Sequence, residues 1–373
     1  MDVRNSMKKQ NDVAMILFSH VVSLAAKGNI VFSPASINSA ITMHAAGPEG
    51  ESIANEVVSY LRSSSIDELK AVFQEISSVV FADHSTSGSP KITTANGLWI
   101  EKSLPIDPKF QDLFENFFKA IYAPVDFRSK AEEVRSRVNA FVERHTNNLI
   151  KDLLPPGSVT GATNMIYGNA LYFKGAWKTP FDKYCTRDRK FHLLNGGSVS
   201  VPFMSSGCDQ YVRAYEGFKV LKLPYRQGPN DTNREFSMYF YLPDEKDGLD
   251  NLLEKVASIP GFVDGHIPSY EVEVAEFRIP KFKILFGFSA TSVLGRLGLR
   301  SLSLYHKACV EIDEEGAEAA AATCDEHMGC SLYWEPPKKI SFVADHPFLF
   351  FIREDNTGTV LFAGQILDPS KSY

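Results

Sequence analysis

Cys324, His327 and Cys330 are spaced three residues apart, a pattern in which two thiolates and an imidazole could face a zinc ion. A closed structural zinc site is completed by a fourth thiolate or imidazole, and no further Cys or His lies nearby in sequence, so the pattern predicts no metal site. Asp345-His346 could act as the orienting and basic members of a hydrolase set beside any of several serines. An α/β-hydrolase would present its serine in a Gly-x-Ser-x-Gly elbow, and the sequence contains none. The pair runs directly into Pro347-Phe348, which reads as part of a packed strand entry and not as a catalytic dyad. Neither group makes this chain an enzyme, and no cofactor is implied.

The chemistry that remains is conformational. Glu314-Glu315-Gly316-Ala317-Glu318-Ala319-Ala320-Ala321-Ala322 is built from good helix formers. It follows the alternating apolar run Cys309-Val310-Glu311-Ile312-Asp313, which reads as a strand, and it precedes Thr323 to Ser331, polar and aperiodic, which reads as an exposed loop. A strand, then side chains small enough to enter any sheet, then a loop describe a segment able to change its conformation.

This segment resembles the hinge of a serpin, and further blocks carry the resemblance over nearly the whole chain. Asn29-Ile30-Val31-Phe32-Ser33-Pro34-Ala35-Ser36-Ile37 is similar to the start of the family's helix B, and Asn169-Ala170-Leu171-Tyr172-Phe173-Lys174-Gly175-Ala176-Trp177 to the third strand of its main sheet. Phe342 to Glu354 resembles the family's carboxy-terminal signature, closed by Gly364-Gln365-Ile366-Leu367-Asp368-Pro369. The wording of Phe191-His192-Leu193-Leu194 and Phe342-Val343-Ala344-Asp345 is nearest to the plant branch.

The resemblance implies an α+β serpin fold of three β-sheets with about eight or nine helices, formed by 1–373 as a single domain with a reactive-centre loop at about 314–335. It implies a suicide substrate: a serine or cysteine protease cuts the loop, and the hinge (Glu314, Gly316, Ala317, Ala319, Ala321) inserts into the main sheet before the acyl-enzyme is hydrolysed. The partner is then a target protease held covalently, and the inhibitor a monomer with no catalytic residue of its own. Family spacing from Gly316 puts the cut at Cys330-Ser331, with Gly329-Cys330 and Ser331-Leu332 as alternatives because the following segment is one residue longer than expected. A small neutral residue there suits small or permissive first pockets better than a trypsin-like one. Ser33, Ser36, Asn169 and His306 match a buried hydrogen-bond cluster beneath the opening of the sheet, against a plainer reading in which each satisfies local polar groups. Trp177 matches the tryptophan at the top of that opening.

Two features support a second reading, a serpin-fold protein that is merely cleaved or only binds partners. Only Arg300 to Tyr305 separate a helix over Val293 to Leu299 from the hinge strand, where the family runs through a longer loop. By the register the resemblance implies for the inserted strand, Ala317, Ala319, Ala321 and Thr323 face inward and are small; continuing the alternation, Asp325 and His327 also turn inward, and a buried unpaired carboxylate is costly.

The rest of the chain fits a globular protein. Hydrophobic residues make up 44%, with 27 Phe, enough to fill a sizeable core. A net charge of −6 without a Lys/Arg cluster argues against nucleic acid or an anionic membrane as partner, and no apolar run approaches membrane-helix length. Five cysteines, odd in number and without CxxC spacing, argue against a disulfide framework and for a reducing compartment, cytoplasmic or nucleocytoplasmic. Secretion is the alternative, because Lys8-Lys9 precede Ala14 to Phe18 and Ser23-Leu24-Ala25 has small residues at a cleavage spacing. Against it, Val13, Ile16, Leu17, Val21 and Leu24 share a helical face that Asn11 or Asp12 could cap. Ser129 and Glu132 predict a capping box opening a helix to Asn147 with Val134, Val138, Phe141 and Val142 on one stripe. Ile92 to Ile100, Met165 to Phe173, Phe236 to Leu242 and Val360 to Ile366 read as strands.

Overall fold

The computed structural model describes residues 2–24, 28–299, 302–316 and 339–371. The expected exposed loop, with Ala317, Ala319, Ala321, Cys324, Asp325, His327, Gly329, Cys330 and Ser331, lies outside the described residues.

Three sheets organise the described chain. The main sheet orders β11 (Phe282–Ser289), β12 (Leu304–Ile312), β4 (Met165–Lys174), β2 (Lys91–Glu101) and β3 (Ile121–Val125). A second orders β1 (Ile30–Phe32), β15 (Val360–Ile366), β14 (Phe348–Glu354), β9 (Phe236–Pro243), β8 (Phe218–Pro224) and β7 (Tyr211–Tyr215). The third orders β13 (Ile340–Val343), β10 (Val274–Pro280), β6 (Ser198–Ser205) and β5 (Arg187–His192). The described α-helices are α1 (Val3–Leu24), α2 (Pro34–Ala45), α3 (Glu51–Tyr60), α4 (Ile66–Glu75), α5 (Lys109–Asp112), α6 (Phe127–His145), α7 (Leu249–Ser258), α8 (Phe262–Gly265) and α9 (Ala290–Arg296). Strands β9, β14 and β15 are buried along their whole length, which explains their near-continuous apolar runs.

Two helices differ from expectation in how they start. α1 begins at Val3, so Asn11 and Asp12 lie in its body and do not cap it. Tertiary contacts use them instead: Asn11 Nδ2 donates to the Gly358 carbonyl at 2.6 Å, and the Gly261 N–H donates to Asp12 Oδ1 at 2.7 Å. Val13, Leu17 and Val21 are buried as the stripe requires, whereas Leu24 is 40% exposed. α6 begins at Phe127 under an Asp126 cap that accepts from the Ser129 N–H at 2.9 Å. An ionised carboxylate is a stronger acceptor than the Ser129 hydroxyl. Glu132 pairs with Arg135 and closes no capping box. The apolar stripe of α6, Val134, Val138 and Val142, packs with Trp99, Ala170 and Cys309, so this helix lies across the face of the main sheet.

Candidate functional site

Strands β4 and β12 run parallel at the centre of the main sheet, between antiparallel neighbours β2 and β11. Their ladder runs from Leu304↔Tyr167 to Cys309↔Tyr172 and then stops, although β12 continues to Ile312 along β11. Above the last rung the strands part around a cavity of about 310 Å³, lined by Phe173, Cys309, Val310, Asp313 and Gly316 among others.

Below the opening, Asn169 is the hub of a buried polar cluster. Its Oδ1 accepts from the Ser36 hydroxyl and from His306 Nδ1, both at 2.8 Å. Its Nδ2 donates to the Ser36 carbonyl at 3.1 Å and to Asn96 Oδ1 at 2.7 Å. His306 Nε2 accepts from the Ser33 N–H at 2.9 Å, which fixes a neutral ring with its proton on Nδ1. Ser33 also caps α2, its hydroxyl accepting from the Ser36 N–H. The structure therefore brings Ser33, Ser36, Asn169 and His306 together, and adds Asn96, which stands opposite Asn169 in the β2/β4 register.

Burial pushes His306 down to about 3. An unfolded histidine titrates near 6.5, so between that pH and about 3 the unfolded chain binds a proton the folded chain refuses. Stability attributable to His306 is complete above about pH 6.5 and falls by ~1.4 kcal/mol per unit as the pH drops below it. Urea titrations from pH 7 to pH 4 should show this slope, and His306→Gln should remove about one proton's worth of it; an unchanged slope would place the acid sensitivity elsewhere.

Above the opening, the segment Asp313 to Gly316 is held through its backbone carbonyls. Trp177 N–H donates to the Glu315 carbonyl at 3.1 Å, Trp177 Nε1 to the Asp313 carbonyl at 2.9 Å, and Phe181 N–H to the Glu314 carbonyl at 2.8 Å. Trp177 is buried and stacks on Tyr225 with ring centroids 4.6 Å apart. Gly316 has φ +78°, and a Cβ there would come within 2.5 Å of the Trp177 nitrogen, so only glycine allows this close passage. Glu314 is buried beneath it, accepting from Lys281 Nζ at 2.6 Å and from the Thr186 hydroxyl at 2.7 Å. Burial would raise its carboxyl, but the Lys281 and Thr186 hydrogen bonds outweigh it and hold the group below its ordinary value. Lys183 pairs with Glu315 at the surface.

The sequence-model comparison decides the lineage: the model described as "Serpin (serine protease inhibitor)" matches residues 8–303 and 302–369. The chain belongs to the serpin family. This serpin is 73% identical to Serpin-Z1 of Arabidopsis thaliana, an alignment covering 99% of this chain and 97% of that protein. It is 58% identical to the Arabidopsis protein named "Probable non-inhibitory serpin-Z5", over 99% and 86% of the two chains. The solved Arabidopsis AtSerpin1, in its native stressed conformation, superposes with a TM-score of 0.90 at 46% identity, each chain covered completely. The two matched pieces meet in the link 297–303, between α9 and β12. There Leu299, Leu302 and Leu304 are buried, the Ser303 carbonyl accepts from Tyr167 N–H at 3.0 Å, and Leu304 N–H reaches Thr291 Oγ1 at 3.2 Å. The ladder above this link keeps its register.

Other sequence candidates resolve differently. His346 has both ring nitrogens occupied, Nδ1 on Asp345 Oδ1 and Nε2 on the Pro243 carbonyl, each at 2.8 Å, in a joint between strands. Cys185 and Cys309 are free thiols, one exposed and one buried. Lys281 and Thr186, the clamp on Glu314, carry no sequence signal that marks them.

Proposed function

We propose that this serpin, acting as one domain over 1–373 and as a monomer, is a single-use trap for a serine or cysteine protease and not an enzyme. The target's nucleophile attacks the Cys330 carbonyl, the Ser331 amine leaves, and an acyl bond joins protease to hinge. The freed segment then enters between β4 and β12 as a strand antiparallel to both, carrying the protease with it before water can release it. The observation that carries this reading is the early end of the β4/β12 ladder at Cys309↔Tyr172, with the hinge suspended across the open end. Each residue that inserts gains roughly 0.5–1.5 kcal/mol from its backbone hydrogen bonds, plus apolar burial. The first inward residues, Ala317, Ala319 and Ala321, are small enough to pass.

A second reading is favoured by two specific observations, the short 297–303 link and the close similarity to a relative named as probably non-inhibitory. In that reading the loop is cut and released. The protein incubated with a panel of serine and cysteine proteases and run on denaturing gels separates the two. A band at the summed mass of inhibitor and protease supports the trap; cleavage alone, with every protease regenerated, overturns it. Cys330→Arg should move reactivity to trypsin-like enzymes, because the residue before the cut sets pocket fit while the hinge sets trapping.

A further inference from the structure

The open face of the six-stranded sheet holds a cavity of about 660 Å³, in the size range of small-molecule sites. Its inner charges are already matched. Asp355 accepts from Tyr239 at 2.6 Å, Ser237 at 2.7 Å and Lys222 at 2.8 Å, while Arg353 donates to Asp264 at 2.6 Å. The rim is not matched. Lys178 and Arg226 line the cavity with no ion pair among the described residues, and the one further lining charge outside the pairs just named is the exposed Glu235. Backbone bonds join the two segments that carry these cations: Lys178 N–H donates to the Pro224 carbonyl at 2.9 Å and Arg226 N–H to the Ala176 carbonyl at 2.6 Å. Tyr211, Pro224 and Ile267 give the same cavity an apolar wall. An excess of positive charge at this mouth contrasts with a chain whose net charge is −6.

We propose that this cavity binds a small organic anion, a phosphate monoester carrying an apolar ring, with Lys178 and Arg226 on the head group and Tyr211, Pro224 and Ile267 against the ring. A guanidinium and an ammonium lining one cavity offer several donors, which match the oxygens of a phosphate better than those of a single carboxylate. The inference is independent of whether the loop traps a protease. Isothermal titration of the uncut protein with phenyl phosphate, inorganic phosphate and phenol tests it. Phenyl phosphate should bind about ten-fold more tightly than inorganic phosphate, with phenol silent, because only the first uses both halves of the cavity. Lys178→Ala and Arg226→Ala should each weaken it about ten-fold, and Glu235→Gln should tighten it. All three residues are exposed, so unchanged melting curves will show that the variants fold. Phenyl phosphate failing to bind at about 10 mM, phenol binding equally well, or both alanine variants binding like the parent would each overturn the assignment.

Discussion

Asn169→Ala is expected to lower the melting temperature of the uncut protein by on the order of 10 °C. Asn169 is fully buried and uses both its oxygen and its amide nitrogen twice, so truncation strands the Ser36 hydroxyl, His306 Nδ1–H and Asn96 Oδ1 at once. Each buried polar group left without a partner costs about 1–3 kcal/mol, and a few degrees are lost per kcal/mol in a chain of this size. The three partners come from α2, β12 and β2, so one side chain ties the helix beneath the sheet to both sides of the β4/β12 seam. His306→Ala should therefore be strongly non-additive with Asn169→Ala, since either change already removes their shared bond. As a control, Asn116→Ala, which removes only an exposed bond to Asp112, should change stability by less than about 0.5 kcal/mol. Calorimetry of the parent, the two single variants, their double variant and the Asn116→Ala control checks this; an Asn169→Ala melt within a few degrees of the parent would mean that water or relaxation satisfies the cluster.

What could be read in the sequence divides along the range of the forces involved. β2, β4, β9 and β15 fall within a residue of their expected limits because their apolar runs and flanking turns are local signals. β5, with four exposed residues in Arg187–Lys190, offers no such run and is a strand because β6 pairs with it. The start of α6 is decided between two residues able to cap it, Asp126 and Ser129, and Lys102, just past the end of the neighbouring strand β2, favours Asp126 by pairing with it. For the site, Ser33 and His306 are far apart in the chain, and no periodicity could have joined them; the family resemblance did. Asn96 was missed because a polar residue in a strand reads as solvent-facing until the register sets it against Asn169. Lys281 was missed for a similar reason: a lysine after Pro280 looks like an ordinary surface charge, and only the fold brings Glu314 to it.

Cutting the loop at Cys330-Ser331 is expected to raise the melting temperature by tens of degrees, with both fragments remaining together through gel filtration. If about a dozen residues enter between β4 and β12, backbone hydrogen bonds alone contribute roughly 6–18 kcal/mol, as much as the whole stability of an ordinary domain. The gain must begin where the ladder ends, at Cys309↔Tyr172, and Ala317 is the first inward side chain to arrive. Ala317→Arg places an unpaired cation there, and an uncompensated buried charge costs about 3–5 kcal/mol at the step that starts insertion. That variant should be cut as readily as the parent, yet show the melting curve of the uncut protein and form no gel-stable complex. Identical curves for cut and uncut parent would mean that Asp325 or the short link before β12 has closed the route, and the non-inhibitory reading would stand. A raised curve without gel-stable complexes has a different cause: insertion is then downhill but slower than hydrolysis of the acyl bond. The two measurements together separate a sheet that cannot accept the hinge from one that accepts it too late.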